Sequence, residues 1–273
     1  MAMACSSPQK KVNENQKAPA NTPTELKAKE VQLAVTEVSY NAGGAQLTGY
    51  MAHDASLEGK RPGVLVVHEW WGHNDYARKR ADMLAELGFV AFAVDMYGDG
   101  KLATHPDDAG KFMNEVMQNL DAGTARFKAA MEQLKANPHV DPDKIAAIGY
   151  CFGGSVVLSM ANAGLDLDAV AAFHSSVQVP IAPEAGKVKA KILVCNGADD
   201  PFIQPETVTA FKATMDNAGA DYKYVAYEGA THSFTNPEAT DKGKEFKLPL
   251  AYNEAADKAS WDELQTMLAS AFK

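Results

Sequence analysis

Cysteine is scarce in this chain. Only three occur in 273 residues: Cys5, Cys151 and Cys195. So odd and sparse a set makes no disulfide framework, and the spacings are too wide for a metal knuckle. Long apolar runs are missing as well. No stretch approaches the ~18 consecutive apolar residues of a membrane-spanning helix. There is no basic stripe. Lys and Arg number 26 against 35 Asp and Glu, which gives a net charge of −9 and a pI near 5.3. Nucleic acid is therefore not an expected partner. What is present is 46% hydrophobic residues in a length that α/β folds often fill as one domain.

The first thirty residues differ from the rest. They are rich in Lys, Asn, Gln, Pro and Ala and carry no apolar period. Residues 1–30 are expected to be a disordered tether and residues 31–273 the folded domain. Ala2-Met3-Ala4-Cys5-Ser6-Ser7 is similar to the end of a bacterial lipoprotein signal with its acylated cysteine. Two locations follow: cytoplasmic, or a periplasmic lipoprotein if Cys5 is lipidated. Only the second brings a membrane into play.

From Leu33 onward, strand and helix patterns alternate. Leu33–Tyr40 and Gln46–Met51 read as strands around an Asn-Ala-Gly-Gly turn. Short β-branched runs at Gly63–His68, Phe89–Val94, Lys144–Gly149, Ala169–Phe173, Lys191–Cys195 and Tyr222–Tyr227 have the continuous apolar character of buried parallel strands. Helical spacing covers Tyr76–Leu87, residues 107–137 with a break near Asp121–Gly123, Gly153–Ala163, Pro205–Ala218 and Glu254–Phe272. Residues 234–252, with Pro237 and Pro249, read as a loop over the site. The alternation predicts one α/β domain, a mostly parallel sheet with helices on both faces.

The chemistry centres on Gly149-Tyr-Cys151-Phe-Gly153-Gly154, between a predicted strand and a predicted helix. A nucleophile elbow has this form: a sharp strand-to-helix turn lifts one side chain above the sheet and demands small residues two positions to either side. Gly149 and Gly153 fill those positions. The helix N-terminus behind Cys151 favours a thiolate. The alternative is a structural cysteine beside a phosphate-binding glycine loop. No Lys-Ser/Thr follows Gly154, which excludes a P-loop.

A triad needs an acid after a later strand and a base after the last. Gly197-Ala-Asp199-Asp200 supplies the acid, with Asp200 better spaced and Asp199 the second candidate, and Glu228-Gly-Ala-Thr-His232 supplies the base. The order Cys151, Asp200, His232 is the nucleophile–acid–base order of α/β-hydrolases. The segment His68-Glu69-Trp70-Trp71-Gly72 leaves an early strand where that fold builds half of its oxyanion hole. The backbone N–H groups of Trp70 and Phe152 are the expected donors. Glu69 is out of place there, since a carboxylate repels an oxyanion. It serves another step or is a solvated loop acid.

With these residues the chain resembles the dienelactone hydrolase family over residues 32–273. The resemblance rests on His68-Glu-Trp-Trp-Gly72, Asp95-Met-Tyr-Gly-Asp-Gly100, Gly149-Tyr-Cys-Phe-Gly-Gly154, Gly197-Ala-Asp-Asp200 and Gly229-Ala-Thr-His-Ser-Phe234. It implies an α/β-hydrolase that needs no metal or cofactor. It also implies a Cys151 thiol that rests facing Glu69, gives Glu69 its proton when substrate binds, and attacks an ester carbonyl. His232, oriented by Asp200, then manages deacylation. Members that open dienelactones hold the substrate carboxylate with two arginines, at positions that here are Asp99 and Asn236. Lys101, Arg78, Lys242 and Lys244 are candidates to replace them.

The reading is thus a hydrolase of small carboxylic esters or lactones acting through an acyl-enzyme. The rivals are a same-fold hydrolase of thioesters or amides, a non-catalytic periplasmic binding protein, and a thiol redox protein. The last is weakened because Cys195 is too far from Cys151 for a Cys-x-x-Cys pair.

Overall fold

The structure is a computed structural model that describes Met1 and residues 30–273. The expected tether and the Cys5 motif lie, but for Met1 and Glu30, outside the described residues. In chain order the elements of Val31–Lys273 are β1 (Leu33–Ala42), β2 (Ala45–Asp54), β3 (Arg61–Val67), α1 (Asp75–Glu86), β4 (Val90–Val94), α2 (Pro106–Met117), α3 (Leu120–Lys135), β5 (Val140–Tyr150), α4 (Phe152–Asn162), β6 (Ala169–Phe173), β7 (Lys191–Gly197), α5 (Pro205–Ala218), β8 (Tyr222–Tyr227), α6 (Ala239–Phe246) and α7 (Glu254–Ala271).

The eight strands form one sheet in the order β1-β2-β4-β3-β5-β6-β7-β8. The β1/β2 hairpin turns at Gly43-Gly44, and β2 pairs antiparallel to β4. All pairs from β4 to β8 are parallel. Parallel strands need crossover helices, and those helices bury both faces of the sheet. Side-chain alternation on β3 shows the division. Val64 and Val66 join α1 and α7 through Ala77, Leu84, Leu264 and Leu268. Leu65 and Val67 join α3, α4 and α5 through Phe127, Leu134, Val157 and Met215. Each such aliphatic side chain contributes roughly 1.5–3 kcal/mol when fully buried.

The expected single α/β domain with helices on both faces is what the described residues form. Two local expectations need correction. The break in the helical stretch lies at Gln118-Asn119, not near Asp121–Gly123. Asn119 caps α3 by accepting from the Ala122 N–H, and Gly123 sits inside the helix against Val116, where its lack of a side chain permits close packing. Residues 234–252 are also not all loop, because they contain α6. Pro237 and Pro249 flank that helix rather than interrupt it.

Candidate active site

The site lies at the C-terminal ends of the parallel strands. Cys151 stands between β5 and α4 with φ 52° and ψ −114°, a conformation strained for any residue with a side chain. The turn is tight on both flanks. A Cβ on Gly149 would lie 2.1 Å from the Gly153 oxygen, and one on Gly153 would lie 2.3 Å from the Val67 oxygen. Only glycine lets the elbow close against β3. The Cys151 N–H is anchored to the Phe173 oxygen on neighbouring β6 at 2.9 Å.

His232 follows β8 and is buried. Its Nε2 lies 3.2 Å from the Cys151 Sγ, and its Nδ1 lies 2.7 Å from the Asp200 Oδ2. Asp200 is buried at the end of the β7 loop, whereas Asp199 is exposed. The geometry therefore joins Cys151, His232 and Asp200 and leaves Asp199 out. Burial works against a charge on His232, yet the Cys151 sulfur and the Asp200 carboxylate outweigh it and push the imidazole pKa up to about 10. Ring edges hold the imidazole in place, with Phe202 at 5.0 Å and His174 at 5.4 Å between centroids.

Trp70 and Phe152 flank the sulfur. Phe152 is the first residue of α4, so its N–H has no partner within the helix. The Trp70 N–H makes no hydrogen bond among the described residues, while the Trp70 oxygen is fixed by the Tyr97 hydroxyl at 2.9 Å. Over the sulfur lies a cavity of about 350 Å³ walled by Trp70, Met113, Phe152, Phe202, Leu248 and Leu250. Ser155 and Ser176 are its uncharged polar residues, and no lysine or arginine lines it.

Glu69 departs from one of its sequence readings. It is 1% exposed, so it is not a solvated loop acid. No hydrogen bond joins it to the Cys151 sulfur among the described residues, since that sulfur meets His232. Its Oε1 accepts from the Ser233 hydroxyl at 2.9 Å and its Oε2 from the Asn236 side-chain amide at 2.6 Å. Burial raises its pKa, against the pull of Asn236, Ser233, His232 and Lys242. The positions weighed for a substrate-carboxylate site are also accounted for. Asp99 is exposed in a turn and accepts from the Gln46 N–H. Arg78 pairs with Glu37, Lys101 with Glu115, Lys242 with Glu238 and Lys244 with Asp241. Arg78 and Lys101 border a separate cavity of about 220 Å³ with His73 and Asp95.

Sequence reasoning missed a buried layer beneath the histidine loop. Arg80 on α1 pairs with Asp257 on α7 at 2.6 Å, among the rings of Tyr76, Tyr150 and Trp261. The Thr235 hydroxyl meets the Tyr76 hydroxyl at 2.6 Å and the His174 Nε2 at 2.7 Å. Burial, with His232 and Arg80 adding to it, keeps the His174 pKa well below its usual value, so this ring is neutral. Its place at the end of β6 beside the elbow was the available signal. Cys195 is buried in β7, and burial pushes its thiol up to about 12. No cluster of three or more potential metal ligands occurs among the described residues.

The model of the dienelactone hydrolase family matches residues 47–272. The protein usf of Aquifex pyrophilus is 34% identical over 209 residues, covering 75% of this chain and 88% of its own. An Aquifex aeolicus protein provisionally named carboxymethylenebutenolidase is 32% identical over the same length, 75% of this chain and 88% of its own. Of solved structures, one named m3DLH superposes with a TM-score of 0.83 at 36% identity, covering 88% of this chain and 99% of its own. A dienelactone hydrolase-like promiscuous phosphotriesterase from metagenomic libraries gives 0.81 at 34% identity, covering 88% and 98%. The chain belongs to the dienelactone hydrolase family and is an ester or lactone hydrolase on the α/β-hydrolase fold.

Proposed function

We propose that the protein hydrolyses small neutral carboxylic esters or lactones with Cys151 as nucleophile, His232 as base and Asp200 as its orienting acid. The observation that carries this reading is the chain of contacts from Sγ through the imidazole to the Asp200 carboxylate, 3.2 and 2.7 Å long, at the floor of an apolar cavity. The thiol proton passes to the His232 Nε2, and the sulfur attacks the carbonyl carbon. The resulting oxyanion takes hydrogen bonds from the Trp70 and Phe152 N–H groups, each typically worth roughly 3–4 kcal/mol of barrier. The tetrahedral intermediate collapses as the imidazolium protonates the departing alkoxide. Water, deprotonated by His232, then attacks the thioester and releases a carboxylic acid and the free thiol. No step calls for a metal or cofactor.

The cavity's composition supports neutral substrates over anionic ones, because no lysine or arginine lines it to offset the desolvation cost of a buried carboxylate. The test is a screen of short acyl esters and of charged and neutral lactones, with stopped-flow detection of acyl-enzyme. Failure to turn over any of them would sink the reading. Thioesters and amides belong in the same screen. A neutral phosphotriester does too, because a relative of similar fold is named for that activity and the sulfur here faces a cavity without lysine or arginine. A membrane partner enters only if Cys5 is acylated, which mass spectrometry of natively expressed protein would detect.

A further inference from the structure

Ser155 and Ser176 stand in the apolar wall of the cavity over Cys151, and their hydroxyls are in different states. Ser176 is closed to a substrate. Its hydroxyl donates to the Gln178 oxygen at 3.1 Å and accepts from the Gln178 N–H at 3.2 Å. Ser155 is on α4, four residues past Cys151, and is 7% exposed. Its hydroxyl reaches the Ser175 Oγ at 3.3 Å and the Ser176 main-chain oxygen at 3.4 Å. Both contacts are long beside the roughly 2.7–2.8 Å usual for O–H···O. Ser175 gives its one hydrogen to the same Ser176 oxygen at 2.9 Å, so in the 3.3 Å contact it is the acceptor. The lone pairs of the Ser155 Oγ are left without a hydrogen, because no other donor reaches them among the described residues.

We infer that Ser155 determines specificity: its oxygen accepts a hydrogen bond from a hydroxyl carried by the substrate, and the substrates are hydroxyl-bearing neutral esters or lactones. The inference rests on the reading of this cavity as the substrate site. An ether or a second carbonyl has no hydrogen to offer these lone pairs. A hydroxyl does, and it brings no charge among apolar walls. Hydroxyl and methyl are similar in size. The walls, with Met113, Leu248 and Leu250, favour the methyl, because a buried hydroxyl without a partner costs more than its apolar isostere. Ser155 reverses that order. The hydroxyl it reads belongs either to the acyl chain or to the departing alcohol.

The experiment measures kcat/KM in the full chain on matched pairs, each a hydroxyl ester and the isostere with methyl in its place. Ethyl lactate with ethyl isobutyrate, and ethyl β-hydroxybutyrate with ethyl isovalerate, put the hydroxyl on the acyl chain. Hydroxyethyl butyrate with propyl butyrate puts it on the alcohol. The parent should prefer the hydroxyl member of at least one pair by roughly fivefold, and that pair tells which side Ser155 reads. In Ser155→Ala the same ratio should fall by roughly tenfold or more, because the hydroxyl then lies unpaired. A ratio within one pair cancels any general effect of the substitution on the site, and circular dichroism checks the fold. If Ser155→Ala does not fold, Ser155→Cys reads the same fall, since sulfur is a weak acceptor. A parent that prefers the methyl member of every pair overturns the inference, and so does a hydroxyl preference that Ser155→Ala leaves as in the parent. Both of those outcomes leave the hydrolase site standing. Turnover of none of these esters, or turnover that persists in Cys151→Ala, would instead overturn the reading of the cavity as the substrate site, and the inference with it.

Discussion

Arg80 donates to the main-chain oxygen of Thr235 at 2.6 Å, three residues past His232. The same guanidinium nitrogen also meets Asp257 at 2.6 Å. One buried cation thus ties α1 and α7 to the loop that carries His232. Arg80→Leu would leave the mostly buried Asp257 without its cation, with only the Tyr252 hydroxyl at 3.3 Å to answer it, and the Thr235 carbonyl unpaired. Breaking a buried pair on one side costs about 3 kcal/mol or more. Urea denaturation should show a loss of that size. A change under about 1 kcal/mol would mean that the leucine repacks among the three rings and that the pair is neutral for stability.

Cys151→Ala should remove hydrolysis while the fold stays intact. Loss of a nucleophile that works as a unit with its base typically costs roughly 10³-fold or more in kcat. The check is purified variant against parent on one ester, with matched circular dichroism. Comparable turnover would move the chemistry to another group.

Substrate charge supplies the third prediction. No lysine or arginine lines the cavity over Cys151, Asn236 is committed to Glu69, and Asp99 is turned to solvent. A carboxylate-bearing lactone thus lacks two charge-assisted hydrogen bonds, each worth roughly 1.5–3 kcal/mol when well placed. A neutral lactone of equal size should be preferred by roughly tenfold or more in kcat/KM, a lower bound since one such bond already amounts to about that factor. Kinetics on a matched acid and methyl ester decide it. A preference for the acid, lost in Lys101→Ala or Arg78→Ala, would bring one of those cations into the site.

His232 also makes stability depend on pH. Its pKa is raised from 6.5 to about 10 in the folded protein. A base raised on folding stabilises in full below its unfolded pKa and loses that contribution as pH climbs through the folded value. The stability gap between parent and His232→Gln should thus be widest at about pH 6 and shrink toward about pH 10. Denaturant titrations at several pH values measure it. A gap that widens with pH would reverse the assigned charge.

Much of this was legible because it is local. An elbow needs glycine on both sides of one nucleophile, and Gly149, Cys151 and Gly153 spell that out within five residues. Buried parallel strands are continuous apolar runs, so the sheet could be read from composition. The choice of Asp200 over Asp199 rested on spacing alone, and the geometry joins Asp200 to His232. The setting of Glu69 was hidden, because it is made by Ser233 and Asn236 more than 160 residues away. The Arg80 layer was equally invisible, since an arginine at helical spacing reads as a solvated face until Asp257 and three rings close over it. Helix α6 was masked by its flanking prolines and its charged composition.

Cys195 lies within β7 with its sulfur against the Tyr227 hydroxyl at 3.5 Å. That enclosure sets how the enzyme ages in an oxidising medium. Peroxide that reached the partly buried Cys151 beside His232 would convert it to a sulfenic acid. Proteins built to survive this keep a second thiol nearby to trap the sulfenate as a disulfide. Here the other described thiol is held protonated inside the sheet and is not free to resolve it. Cys195 therefore does not repair damage at Cys151, which in the absence of another reductant proceeds to the irreversible sulfinic stage. The working lifetime of the protein is set by its surroundings rather than by its fold.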